Sequence, residues 1–178
     1  GPVYIASVAF HNTIDSRDNI SAQYIAEEVI EVIRNKRDGY ILNHNDNGWL
    51  NTIIDTLGTV VDCNNEVGTI INKCEMNKGT TYTFSTCTEG TCQNISFDPD
   101  SSNEVYGKVD IDSKSKFTRE FYFQTYKNSD GKFNEGEVKL VVNINWEDKG
   151  KPKTYSLTER LYSVNYKSFF KPDPVTAI

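Results

Sequence analysis

The sequence has few of the residues and patterns on which most enzyme chemistry depends. Only two histidines occur in 178 residues, His11 and His44, and neither belongs to a metal-ligand or nucleophile motif. The Gly-x-Ser-x-Gly elbow of serine hydrolases is missing as well, so an enzyme is the least supported class and no cofactor or metal is implied. Positive charge is also in short supply. Nineteen Lys and Arg stand against 25 Asp and Glu, for a formal net charge of −6 and a pI near 5.0. A sequence-independent nucleic-acid binder needs a basic footprint, and this balance argues against one. The local clusters Lys114, Lys116 and Arg119, and Lys149, Lys151 and Lys153, read as solvated strand ends and loops. No run reaches the roughly 18 apolar residues that cross a bilayer. No internal repeat and no long disordered block is present, so one globular domain is expected.

What the chain does have is helical periodicity near its start. Ala22, Ile25, Ala26, Val29, Ile30 and Ile33 recur at three- and four-residue intervals, with Glu27, Glu28, Glu31, Arg34 and Lys36 on the other face. This pattern predicts an amphipathic helix with one apolar packing stripe. Arg34, Lys36 and Arg37 suit its negative C-terminal end, and Gly39 suits a left-handed terminator, so the helix is expected to end near Asp38. Upstream, Val3 to Phe10 is apolar and helix-compatible, whereas Ser16, Asp18, Asn19 and Ser21 weaken the connection. A continuous helix from Val3 to Asp38 would span roughly 50 Å at about 1.5 Å per residue, longer than a compact domain of this size is wide. Gly1 and Pro2 resemble the remnant of a tag-removal site and are set aside, and Val3 to Phe10 is compatible with the end of a longer apolar segment.

From Thr80 onward the period changes to two. Tyr82 and Phe84, Ile95 and Phe97, and Val105, Val109 and Ile111 alternate, followed by three longer runs at Phe117 to Tyr126, Glu137 to Trp146 and Thr154 to Tyr166. Asp130-Gly131 and Lys149-Gly150 mark the turns between them. Short connections predict an antiparallel meander, and a helix with one stripe should cover one face of it, giving an α+β fold. The expected layout is a helix over 3–38, a loop region over 39–79 holding a short helix or two, a sheet over 80–166 and a loose tail over 167–178. Phe169 and Phe170 are candidates to dock that tail on a sheet edge.

Four cysteines, Cys63, Cys74, Cys87 and Cys92, lie within one 30-residue region and allow three pairings. Cys63 with Cys74 and Cys87 with Cys92 is the favoured set, because the runs around Cys87 and Cys92 read as a hairpin closed by Thr88 to Thr91. Oxidised pairs imply an extracytoplasmic location. The competing reading is a four-cysteine zinc site, whose short paired knuckles these spacings lack. Two stretches imitate calcium loops. Asn128, Asp130, Gly131 and Glu137 fit part of an EF-hand but Tyr126 holds its first ligand position, and Asp98, Asp100 and Glu104 equally make a polar turn. Asn19-Ile20-Ser21 and Asn94-Ile95-Ser96 match the N-glycosylation pattern at a frequency that so many asparagines produce by chance. Tyr122, Phe123, Tyr126 and Trp146 alternate along strands and read as packing rather than a ligand platform.

These pieces together resemble a known family. Ala26, Glu27, Glu28, Ile30, Glu31, Arg34, Asn35, Arg37 and Asp38, followed by Trp49 and Leu50, look like the helix and Trp-Leu turn of minor type IV pilins of the V-type. Phe117-Thr118-Arg119 resembles that family's Phe-Thr-Arg strand, and the runs from Val141 to Asp148 and Thr154 to Tyr166 resemble its closing strands. The resemblance runs from the helix to Tyr166, where family members often carry tryptophan, and it does not extend to the four-cysteine middle. The family's processed start and its helical glutamate are not in the sequence, as expected if the sequence begins partway along the spine helix.

The resemblance implies a type IV pilin-like α+β fold, a long N-terminal helix packed on an antiparallel β-sheet. The upstream half of that helix would anchor the subunit in the membrane before assembly and then bundle with other pilin subunits in an extracellular pilus. A low-copy structural subunit, at the tip or in the initiation complex, is the first expectation. An adhesin that engages a host or surface ligand, or a pseudopilin of a secretion or DNA-uptake system, is the alternative.

Overall fold

The computed structural model describes residues 2–43, 49–50, 63–68, 70, 72–78, 82–87, 91–98, 105–107, 114–125 and 136–162, of which 2–14, 78, 96–98, 105–107 and 114 are described by backbone alone. One helix, α1 (Pro2–Asn43), opens the chain. Among the described residues eight strands follow: β1 (Asn64–Glu66), β2 (Cys74–Lys78), β3 (Tyr82–Thr86), β4 (Asn94–Asp98), β5 (Val105–Gly107), β6 (Lys114–Thr125), β7 (Glu137–Asp148) and β8 (Lys151–Tyr162). The fold is α+β, with one N-terminal helix and an antiparallel sheet into which only the short β1 enters parallel.

The sheet is organised around β6. One edge pairs with β7, from Thr118↔Asn145 to Gln124↔Lys139, and β7 pairs with β8 over its full length. The other edge is shared in succession by β4, β2 and β1, with β3 extending β2 and β5 extending β4. The tight β7–β8 connection follows from Lys149 (φ 51°) and Gly150 (φ 74°), both left-handed. Two consecutive positive φ values match the right-handed twist of the flanking strands, as a two-residue hairpin requires.

Alternation along β6 and β7 sends Phe117, Phe121 and Phe123, and Val138, Leu140, Val142, Ile144 and Trp146, to one face, where all are buried. The helix covers that face with Ala22, Ile25, Ala26, Val29, Ile30 and Ile33, none more than 4% exposed. Trp49 and Leu50, in a helical turn after α1, are fully buried in the same core.

Several expectations change. The helix does not stop near Asp38. Gly39 is helical, with no left-handed φ, and the helix runs on to Asn43. Tyr40 packs against the core, and the Asn43 amide donates to the Gly39 carbonyl at 2.7 Å, so packing and a local cap outweigh the helix-breaking tendency of one glycine. The helix is also continuous through Ser16 to Ser21. Two polar residues of that stretch are satisfied without leaving helical geometry: Asp18 pairs with Lys116, and Asn19 donates to the Asp15 carbonyl at 2.8 Å.

The expected loop region contributes β1 and β2 to the sheet. Neither shows period-two hydrophobicity, because β1 is Asn-Asn-Glu and β2 buries Cys74, Glu75 and Met76 in succession. Asn65 organises the link between them: its buried amide donates to the Asn72 carbonyl at 2.7 Å and accepts from the Asn72 N–H at 2.8 Å. The expected hairpin of the runs around Cys87 and Cys92 does not form. Strand β3 pairs with β2, and β4 pairs with β5 and β6. The Asp130-Gly131 turn, most of both calcium-like loops, His44 and the tail with Phe169 and Phe170 lie outside the described residues, as does the side chain of His11.

Cys63 is bonded to Cys74, and Cys87 to Cys92, with Cα separations of 5.7 and 4.5 Å. The first bond joins two segments that both sit on β6, since the Cys63 carbonyl accepts from Phe123 N–H at 2.9 Å and Cys74 pairs with Phe121. Loop closure in the unfolded chain gives each bond about 2–3 kcal/mol, more for the longer Cys63–Cys74 loop. Denaturant melts should therefore rank Cys63→Ser/Cys74→Ser below Cys87→Ser/Cys92→Ser, and both below the native chain.

Candidate functional site

The feature with most functional content is the way α1 is fastened to the sheet. Its apolar stripe supplies the contact area, and three ion pairs fix where along the strands the helix sits. The deepest is formed by Arg119 and Glu28. Alternation along Phe117, Arg119, Phe121 and Phe123 turns Arg119 inward, and it is 2% exposed. Its Nη1 donates to Glu28 Oε2 at 2.7 Å and its Nη2 to the Met76 carbonyl at 2.8 Å. The Tyr82 hydroxyl donates to the other Glu28 oxygen at 3.0 Å. One helical carboxylate thus ties α1 to β6 and β3 at once. Burial lowers the Arg119 guanidinium from its ordinary pKa, opposed by the Glu28 charge.

On the opposite flank Arg34 makes a two-pronged contact with Glu159 of β8, Nε and Nη2 each 2.6 Å from a carboxylate oxygen, and a third contact with Glu31 at 3.1 Å. Hydrogen bonding to Glu159 raises the Arg34 pKa. The third pair joins buried Asp18 to Lys116 of β6. Lys36 adds a cation–π contact 5.3 Å above the Phe84 ring, and burial lowers its pKa.

The latches set the helix against the strand register. Extending the Thr118↔Asn145 pairing by two residues puts Lys116 level with Glu147 and its partner Pro152. Asp18 to Arg34 is about 24 Å of helix, and Pro152 to Glu159 is about 23 Å of strand, so α1 runs alongside β8 in the same direction. Before Asp18 the helix continues for roughly 24 Å more. In that direction the described strands run on for only three or four residues, roughly 10–13 Å.

The stripe predicted from spacing is where the structure places the helix–sheet contact, and Val32, 8% exposed, joins it. Val32 falls between Glu28 and Lys36 on the flank facing β3, a side that the stripe alone did not mark. Arg119, expected from its basic neighbours to be solvated, is instead buried by the inward turn of β6 and meets Glu28, 91 residues away, in one ion pair. The signal for this was an arginine at an inward position of an alternating strand. The four cysteines form the two bonds described and leave no free thiol.

On the sheet face away from the helix, polar side chains are ordered into cross-strand rows beside buried Tyr122 and Val141. In one row Thr118 donates to Asn94 and Thr154 to Asn145, each at 2.8 Å. In the next, Ser156 donates to Asn143 at 2.8 Å, Asn143 to Glu120 at 3.1 Å, and Lys73 reaches both Glu120 oxygens at 3.1 and 3.0 Å. Beside this row Tyr122 is 6% exposed, and burial raises its phenol above the ordinary value, partly offset by Asn143. The neutral phenol is therefore favoured by folding. Its stabilisation is complete below about pH 10 and is lost as pH rises through the folded-state pKa. Tyrosinate absorbance should include a late-ionising component that Tyr122→Phe removes.

Among the described residues no group of His, Cys, Asp and Glu is arranged to hold a metal ion. No described helix is long and apolar enough to cross a membrane. Comparison with family models, with curated proteins and with solved structures returns no match.

Proposed function

We propose that this chain is a structural subunit of an extracellular type IV pilus, a minor pilin whose α1 belongs to the filament spine and whose sheet is the exposed head. The observation that carries this reading is the one-sided fastening of the helix. The helix is latched by Asp18, Glu28 and Arg34, and before Asp18 it continues for roughly 24 Å. A helix that ran on past its own sheet would contribute surface for neighbours rather than for its own core. Ile20 and Tyr24, one turn apart on the helix, are 54% and 68% exposed and offer apolar contact to an adjacent helix. Two disulfides suit an extracytoplasmic head. Five of the residues that resemble the pilin pattern, Glu28, Arg34, Arg119, Trp49 and Leu50, fasten helix to sheet or fill the core beneath it.

The test is to shear surface filaments from the source cells and probe them with an antibody against the head. Labelling of filaments, with fewer filaments when the gene is deleted, is the expected result. A chain confined to the cell body, with filament number unchanged by deletion, would overturn the reading. Unchanged filament number with lost surface attachment would move the function to adhesion.

A further inference from the structure

The row Lys73, Glu120, Asn143 and Ser156 contains an amine, a carboxamide and a carboxylate that touches both. Glu120 is 7% exposed, and its Oε1 lies 3.1 Å from Lys73 Nζ and 3.1 Å from Asn143 Nδ2. A carboxylate only accepts hydrogen bonds, so this contact fixes Nδ2 as the amide atom facing it. The carbonyl end of Asn143 points the other way, where Oδ1 accepts from the Ser156 hydroxyl at 2.8 Å. All four residues are held by backbone structure. Glu120 pairs directly with Asn143, and Asn143 with Ser156. Lys73 accepts from the Cys87 N–H at 2.9 Å and precedes disulfide-bonded Cys74.

We propose that Lys73 and Asn143 form an intramolecular amide cross-link, with Glu120 as the catalytic residue that carries the protons. Glu120 takes a proton from the Lys73 ammonium, and the free amine attacks Asn143 Cγ. The developing oxyanion at Oδ1 sits where the Ser156 hydroxyl donates. Glu120 delivers its proton to Nδ2, the Cγ–Nδ2 bond breaks, and ammonia leaves. Glu120 removes the remaining extra proton from the new Nζ–Cγ amide and passes it to the ammonia, which departs as ammonium. Glu120 ends as the carboxylate it began as, and the step needs no oxidant or other reactant. Holding amine and amide against one carboxylate supplies the proximity on which such an unassisted reaction depends. The bond would tie the segment before β2 to β7 across β6, beside the Cys63–Cys74 bridge, and would survive reduction.

The experiment is the intact mass of the purified, oxidised full chain. The expected mass is that of the disulfide-bonded sequence less one ammonia, and a digest should contain a branched peptide joining Lys73 to Asn143. Lys73→Arg and Glu120→Gln should each restore the full mass while keeping the native circular dichroism; if Glu120→Gln does not fold, Lys73→Arg carries the comparison. Closure of Asn143 on its own backbone also expels ammonia, but it leaves Lys73 in a linear peptide and persists in Lys73→Arg. Either that pattern, or a full mass in the native chain after prolonged incubation of the folded protein, overturns the proposal.

Discussion

Arg119→Ala should lower the unfolding free energy by about 3–5 kcal/mol, the range for removing one partner of a buried ion pair. The size follows from what is left behind. Without the guanidinium, Glu28 keeps only the Tyr82 hydroxyl, and the Met76 carbonyl loses its side-chain donor. The side chain is also among the largest that are fully buried, so its removal leaves a void under the helix. Arg34→Ala is the control. It breaks an ion pair of equally good geometry, but Arg34 is 42% exposed, and the loss should stay at or below about 1 kcal/mol. Replacing both partners, Arg119→Met with Glu28→Leu, should recover much of the deficit, because neither charge then needs a buried counterpart. Urea denaturation of the four chains measures all of this. Similar losses for Arg119→Ala and Arg34→Ala would contradict the claim that burial makes Arg119 the principal latch.

Trp49→Ala should cost about 3–5 kcal/mol, as large aromatic truncations in a packed core do. Trp49 is 0% accessible and lies next to Leu50, also 0% accessible, in the core under α1. Trp49→Phe keeps a ring in the site and should lose less than half as much. The readout is again urea denaturation, supported by tryptophan fluorescence, which Trp146 continues to report in both variants. A loss below about 1 kcal/mol for Trp49→Ala would mean that the turn after α1 is not part of the cooperative core.

These effects show which parts of the molecule could be read from the sequence. The helix stripe and the three long strands were legible because each buries one face at a fixed period. Val29 and Ile33 repeat at the helical interval, and Val138, Leu140, Val142 and Ile144 at the strand interval. Strands β1 and β2 were not legible. Asn64 to Glu66 has no apolar residue, and its place is fixed by the Cys63–Cys74 bond and by pairing with β6. The pairing partners of β3 and β4 were missed for a related reason. Proximity in sequence suggested a hairpin across Cys87 and Cys92, whereas β3 pairs over five residues with β2, and β4 pairs with β5 and β6. The helix end was misjudged because Gly39 was weighed by local preference, while Tyr40 finds a place on the core. Of the latches, each residue was visible but the pairs were not. Glu28 and Arg119 become partners only when the sheet turns Arg119 inward beneath the helix. The Lys73, Glu120 and Asn143 row is of the same kind, since its members come from three separate segments.

Under the proposed function α1 is one helix with two fates, fixed to the sheet from Asp18 onward and open to a neighbouring subunit before it. Hydrogen exchange along α1 in the isolated, monomeric protein tests this most directly. The expected result is strong protection from Ala22 to Ile33, at or near the level of global unfolding, and exchange faster by orders of magnitude from Val3 to Ile14. A helical segment of that length without tertiary packing is marginal in water. Uniform protection along the whole of α1 in the monomer would contradict the claim, because the first half would then be held by the chain's own fold.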